Sequence, residues 1–246
     1  MARGIFGLDR RDFIKASVTA LLTSATPYLA AAQSDGDKAR IGVIGAGHIG
    51  STIGGLWVKA GHPVLFSSRH PEELKSLVEA MGPLARAGTV GDALDFAEIV
   101  LVAVPYNAIP ELAKDYGARF VGKIVIDPAN AVARRDGEEL LAETKEKGIG
   151  ITTESYLKGS HVVRAFNSMG YTNFAREAHR KGDLMAIPMA GDDPGAIEVA
   201  SQLVRDAGFD PVVVPLKRAQ EFAQGGPIYG QQLTAKELRQ RFGLSE

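Results

Sequence analysis

Apolar residues in this chain gather in short continuous runs. Between them lie segments whose apolar residues recur every three or four positions. Arg40-Ile41-Gly42-Val43-Ile44 is a β-branched run that stops at a glycine, which predicts a buried parallel strand. Ile49, Ile53, Leu56, Trp57 and Ala60 then recur at helical spacing, and Gly61 sits where a helix C-cap belongs. Val64-Leu65-Phe66 reads as the second strand. The pattern repeats from Pro71, whose helix carries Glu72 and Glu73 in its first turn, where the helix dipole favours negative charge. Leu74, Leu77, Val78 and Met81 form its predicted buried face. Residues 85–90 predict a third strand, 93–97 a brief helix and 99–104 a central strand ending at Pro105. A helix over 108–120 would bury Ile109, Leu112, Tyr116 and Phe120. Ile124-Val125-Ile126 predicts a fifth strand, 138–147 a helix and 161–166 a sixth strand. Beyond Asn167 come a strand over 184–190, a helix carrying Ile197, Ala200, Leu203 and Val204, and a strand at Val212-Val213-Val214. Two short helices near Ala219 and Glu237 follow.

Strands alternating with helices predict an α/β fold. The expectation is a doubly wound, mostly parallel Rossmann sheet with a short C-terminal strand and helix extension. The domain runs over residues 39–218 and the extension over 219–246. Residues 1–32 stand apart. Asp9-Arg10-Arg11-Asp12-Phe13-Ile14-Lys15 resembles a twin-arginine export signal. A moderately apolar stretch over 16–29 follows, and Ala30-Ala31-Ala32 supplies small residues for cleavage before Gln33. That stretch falls below the ~20 apolar residues of a membrane span. The expectation is a periplasmic or exported protein that engages the twin-arginine export machinery.

Composition narrows the chemistry. A net charge of -1 and 45% hydrophobic residues describe an ordinary globular chain without the basic excess of a nucleic-acid binder. The absence of cysteine excludes disulfides, thiolate metal sites and cysteine nucleophiles. The five histidines have no metal-ligand spacing, so no metal is expected.

The chemistry concentrates at strand ends. Gly45-Ala46-Gly47-His48-Ile49-Gly50 is a G-x-G-x-x-G loop between a predicted strand and a predicted helix, the context a dinucleotide site requires. Gly45 allows the tight turn, Gly47 lets the backbone approach a pyrophosphate, and Gly50 lets the helix pack on the strand. The helix N-terminus then offers free N–H groups to the phosphates. After the second strand, where an NAD site places Asp or Glu, stand Ser67, Ser68 and Arg69. Hydroxyls and a guanidinium bind a 2′-phosphate that a carboxylate would repel, which selects NADP(H). Val104 and Pro105 after the fourth strand and Asn130 after the fifth are further candidate cofactor residues. Asn107 and Asn167 are candidate substrate residues, because Asn can orient a carboxamide or an acceptor without changing charge.

With Val102-Ala103-Val104-Pro105, Val163-Arg164-Ala165-Phe166-Asn167, Ala190-Gly191-Asp192-Asp193 and Ala207-Gly208-Phe209-Asp210-Pro211, these motifs make residues 39–218 resemble the deazaflavin-dependent NADP oxidoreductases. The N-terminal module is also similar to that of pyrroline-carboxylate reductases and membrane ferric reductases. The resemblance implies hydride transfer between NADP(H) and a small-molecule redox acceptor, a flavin or deazaflavin co-substrate stacked on the nicotinamide. It also implies a homodimer. Such transfer needs no strong protein acid or base, in keeping with the lack of a catalytic Lys, His or Cys constellation. Two other readings stay open: a β-hydroxyacid or imine-type NADP reductase, and an exported nucleotide-binding protein without turnover.

Overall fold

The computed structural model describes residues 38–245, so the signal read over residues 1–32 lies outside the described residues. β1 (Ile41–Ile44) leads through the glycine turn into α1 (His48–Lys59) and β2 (Val64–Ser67). A 3-10 turn at Pro71–Leu74, α2 (Lys75–Met81), β3 (Ala85–Gly88), α3 (Val90–Phe96) and β4 (Ile99–Val102) follow. A second 3-10 turn at Tyr106–Ala108 enters α4 (Ile109–Phe120) and β5 (Ile124–Asp127). Three helices come next: α5 (Ala133–Asp136), α6 (Glu138–Lys147) and α7 (Ile149–Tyr156). β6 (His161–Arg164), α8 (Tyr171–Glu177), β7 (Ala186–Ala190), α9 (Pro194–Asp206) and β8 (Asp210–Val214) complete the sheet. A 3-10 turn at Leu216–Glu221 and α10 (Ala235–Phe242) close the described chain.

The eight strands lie in the order β3-β2-β1-β4-β5-β6-β7-β8. All neighbours are parallel except β6 and β7, which run antiparallel and share one pair, Arg164 opposite Ala190. Pro188 in β7 has no N–H to offer a ladder. β1, β2, β4 and β5 are buried at every position, as strands covered on both faces must be, while β3 is a partly exposed edge. The predicted buried face of the helix after Pro71 is only half covered, because α2 flanks that edge.

Alternate strand residues supply two cores. On one face Ile44, Leu65, Val100, Val125 and Val162 pack with Tyr106, Phe120, Ile149, Leu216, Phe222 and Phe242. The C-terminal residues therefore contribute to the same core as the sheet. The other face holds an aromatic cluster. Phe166 meets Trp57, Phe174 and Phe209 edge-on at centroid distances of 6.0, 5.7 and 6.3 Å. The Trp57 indole N–H donates to the Leu203 carbonyl at 2.8 Å and fastens α1 to α9.

A polar frame lies buried behind the carboxyl ends of β5 and β6. Arg164 Nη1 donates to Asp127 Oδ2 at 2.5 Å, with neither side chain exposed. Asp127 also accepts from Thr153 Oγ1 at 2.8 Å and from the Ala129 N–H at 2.8 Å. Tyr106 Oη shares a hydrogen bond with Thr153 Oγ1 at 3.0 Å. Burial, with the Asp127 charge adding to it, pushes the Tyr106 phenol far above its usual range, so it stays neutral.

Asp136 performs the same office nearer the surface. It accepts from the N–H of Val132 at 2.7 Å and of Asn107 at 3.2 Å, and pairs with Arg135 at 2.8 Å, joining the loops after β4 and β5. Burial pushes its carboxyl up, but the bonds from Arg135, Val132 and Asn107 outweigh that and hold it below the usual aspartate range. A depressed carboxyl contributes stability above the unfolded value, and that contribution is lost as pH falls toward the folded one. Asp136→Asn is expected to cost about 1–3 kcal/mol at neutral pH, the scale of hydrogen bonds to a charged group. Denaturant unfolding should show the gap to wild type narrowing below about pH 4. A gap that stays constant on acidification would contradict this role.

Candidate functional site

The rim formed by the carboxyl ends of β1, β2, β4, β5 and β6 collects the sequence-predicted residues. At its centre is the glycine turn. Gly45 has φ +93°, a conformation L side chains avoid, and a Cβ there would sit 2.5 Å from the Ala103 carbonyl oxygen. A Cβ on Gly50 would lie 2.0 Å from the Gly45 carbonyl oxygen, so α1 starts against the strand only because both residues are glycine. Gly47 differs: nothing lies within 4 Å of the place its Cβ would occupy. It caps α1 with no side-chain hydrogen bond, and the first turn has no acidic residue.

The first α1 hydrogen bond runs from the Ser51 N–H to the Gly47 carbonyl at 2.8 Å. The amides of Ala46, Gly47, His48, Ile49 and Gly50 precede it and donate to no described backbone carbonyl. Unpaired amides at a helix start, with open space beside Gly47 and no acidic residue in the first turn, are suited to an anion.

The ends of β2 and β4 flank the turn. Ser67 accepts from the Gly45 N–H at 3.3 Å through its carbonyl, and its own hydroxyl is buried without a partner. Ser68 Oγ accepts from the His70 N–H at 3.1 Å, which shapes the turn that carries Arg69. Arg69 is exposed and pairs with no described residue. On the other side Ala103 donates to the Ile44 carbonyl at 2.8 Å, and Val104 Cγ1 stands 3.0 Å from the Gly45 Cβ position. Pro105 is exposed and starts the 3-10 turn.

The asparagines divide. Asn130 Nδ2 donates to the Asn167 carbonyl at 2.7 Å, and Asn167 Nδ2 returns a bond to Asn130 Oδ1 at 3.4 Å. Asn167 Oδ1 and Ser168 Oγ are buried and have no partner. Asn107 makes no hydrogen bond with the Asn130–Asn167 pair; its side-chain amide donates to the Arg135 carbonyl at 3.3 Å.

Three contributors had no signal in the sequence. Arg135 Nη2 holds the Asn130 carbonyl at 2.6 Å. The loop before α10 reaches the rim, with Gln224 N–H on Asn130 Oδ1 at 3.3 Å and Gly230 N–H on the Ser168 carbonyl at 2.7 Å. Tyr171 stacks on His48, with ring centroids 4.3 Å apart and planes 8° from parallel. The loop and Tyr171 contacts are long-range, the Arg135 contact spans five residues, and all come from residues that look like ordinary surface in the sequence. Among the described residues no group of three or more His, Asp or Glu side chains is placed to hold a metal ion.

Residues 40–131, which hold the glycine turn and the ends of β2, β4 and β5, match the family described as NADP oxidoreductase coenzyme F420-dependent. A glycerol-3-phosphate dehydrogenase [NAD(P)+] of Chlorobium phaeobacteroides is 24% identical over 69% of this chain and 62% of its own. The metalloreductase STEAP3 of Rattus norvegicus is 25% identical over 70% of this chain and 33% of its own. The chain therefore spans less than two thirds of either curated relative. A hypothetical protein of Sinorhizobium meliloti superposes with a TM-score of 0.71 at 25% identity, over 80% of this chain and 96% of that one. A candidate F420-dependent NADP-reductase of Arthrobacter sp. FB24 superposes with a TM-score of 0.66 at 22% identity, over 84% and 96%. The chain thus has the fold of the NADP oxidoreductases, and its residues 40–131 carry the sequence match to the coenzyme F420-dependent family.

Proposed function

We propose that this protein is an NADP(H)-dependent oxidoreductase that passes a hydride between NADP(H) and a flavin-like or deazaflavin acceptor. The glycine turn carries the reading: the amides from Ala46 to Gly50 are unpaired, and the space beside Gly47 is open. That cradle fits a pyrophosphate. Ser67, Ser68 and Arg69 then stand where the adenosine ribose of such a nucleotide would reach. Arg69, unpaired and exposed, suits a 2′-phosphate better than a hydroxyl. The family match over residues 40–131 supports NADP, and its description names a deazaflavin coenzyme.

When bound, NADPH would supply a hydride from its nicotinamide ring and NADP+ would accept one there. The chain's own part is to bind, orient and exclude water. Val104 and Pro105 border the turn, and the Asn130–Asn167 pair presents neutral amides beyond them. Neutral amides suit a flat acceptor that takes a hydride without protein acid–base help. The unpartnered Asn167 Oδ1 and Ser168 Oγ are buried acceptors in want of a donor, and a ligand amide or ring N–H would satisfy them.

Export belongs to the same proposal. The paired Arg10-Arg11 ahead of an apolar stretch directs the chain through the twin-arginine route, which carries folded proteins, so NADP(H) would be loaded before export. Replacing both arginines by lysine should retain the chain in the cytoplasm, as read by cell fractionation. Unchanged export would remove this part of the proposal.

For activity, the full chain is mixed with NADPH and a flavin or a deazaflavin, and loss of nicotinamide absorbance is followed. Consumption with either acceptor is expected. Binding without consumption by any acceptor, imines and hydroxyacid-derived ketones included, would make the protein a nucleotide binder and overturn the enzyme reading. Arg69→Ala should weaken NADPH by roughly 1–3 kcal/mol, the scale of a lost charge-assisted hydrogen bond, and leave NADH unchanged. Equal losses for both nucleotides would contradict the 2′-phosphate assignment.

A further inference from the structure

Tyr171 lies outside the glycine motif, yet its ring is stacked face to face on His48 at 4.3 Å. His48 opens α1, so its ring projects from the same turn that holds the unpaired amides. Tyr171 opens α8. Both rings are exposed at the rim, Tyr171 with 37% of its surface accessible, and neither side chain hydrogen-bonds to a described residue. An exposed ring pair with no polar partner adds little to the fold by itself.

The segment that delivers Tyr171 is built under constraint. Phe166 adopts φ 59°, a left-handed conformation that is strained for a bulky residue. Its ring is fixed among Trp57, Phe174 and Phe209, which hold that conformation in place. Directly after it, Asn167 and Ser168 are 2% and 1% exposed, and Asn167 Oδ1 and Ser168 Oγ have no partner. The Gly230 N–H clasps the Ser168 carbonyl at 2.7 Å. Strain and unpaired buried polar groups together mark a segment shaped for a ligand.

We propose that Tyr171 and His48, stacked as one unit, form a clamp that bears on the dinucleotide between its pyrophosphate and its nicotinamide riboside. This rests on the dinucleotide reading above. Tyr171 is then a binding residue supplied from beyond β6, and its action falls on release of the nucleotide. The Tyr171 ring braces His48 with one face and holds the nucleotide with its other face and edge, not with the phenol hydroxyl, so Phe serves in its place.

The test is release of NADPH from the full chain, followed by stopped-flow nicotinamide fluorescence. Tyr171→Ala should speed release about two- to tenfold, the worth of one aromatic pair, and Tyr171→Phe should match wild type. His48→Ala removes the other ring and should speed release likewise, which reads the clamp independently if Tyr171→Ala fails to fold. Wild-type release from folded Tyr171→Ala, or from His48→Ala, overturns the clamp and leaves the dinucleotide site standing. Tyr171→Phe releasing as fast as Tyr171→Ala also overturns it, because the hydroxyl would then be the contact. A wild-type chain that binds no NADPH at all removes the dinucleotide reading and the clamp with it.

Discussion

The approach of α1 to the end of β1 is the contact on which the rest of the site depends. The helix begins so close to the strand that any side chain on Gly50 would collide with the Gly45 carbonyl 2.0 Å away. Gly45 in turn holds a positive φ against the Ala103 carbonyl. Two missing side chains therefore fix the direction of a whole helix. They aim its first-turn amides at the rim, where the partial positive charge of the helix start adds to them. Trp57 fastens the same helix to α9, so the amides are held from both ends.

A second constraint operates two strands away. The Asp127–Arg164 pair, with Thr153 and Tyr106, is a buried polar frame just behind the surface that carries Asn130 and Asn167. Replacing such a pair with apolar residues is often no loss in stability, so its value lies more in fixing geometry. Here it fixes where β5 and β6 end, and so where the two asparagines meet. The loop through Gln224 and Gly230 closes the frame from the C-terminal side. The proposed nucleotide and acceptor contacts are thereby set by different parts of the chain. The glycine turn lies within the family match over residues 40–131, while Asn167 and the C-terminal loop lie outside it.

The sequence makes the sheet readable because its strands are continuous apolar runs bounded by glycine, proline or polar residues. The helix over residues 138–147 was legible for the complementary reason, with acidic residues at its start and lysines at its end. Legibility fails where tertiary contact overrides local pattern. The strand expected over 161–166 ends at Arg164, since Phe166 turns into the left-handed region. α7 escaped notice because its β-branched Ile149, Ile151, Thr152 and Thr153 weaken the helical signal, yet Thr152 and Thr153 are buried and bond to the helix's own carbonyls. α8 is short and polar outside Phe174. In the site, the glycine turn and the Ser67-Ser68-Arg69 run were readable because their chemistry is local. The Asn130–Asn167 bond, the Gln224 contact and the Tyr171 stack join residues far apart in sequence, and nothing in a single chain's order announces them.

The central claim is that the turn from Gly45 to Gly50 holds a dinucleotide with a 2′-phosphate. It is tested most directly by titrating the full chain and its Gly47→Val variant with NADPH and NADH, following nicotinamide fluorescence. Val at position 47 would fill the open space beside the unpaired amides and leave the core untouched. The account predicts saturable binding to wild type with NADPH preferred, and loss of both nucleotides in a folded variant. Indifference of the wild-type chain to NADPH, or a folded Gly47→Val chain that binds it as well as wild type, would contradict it.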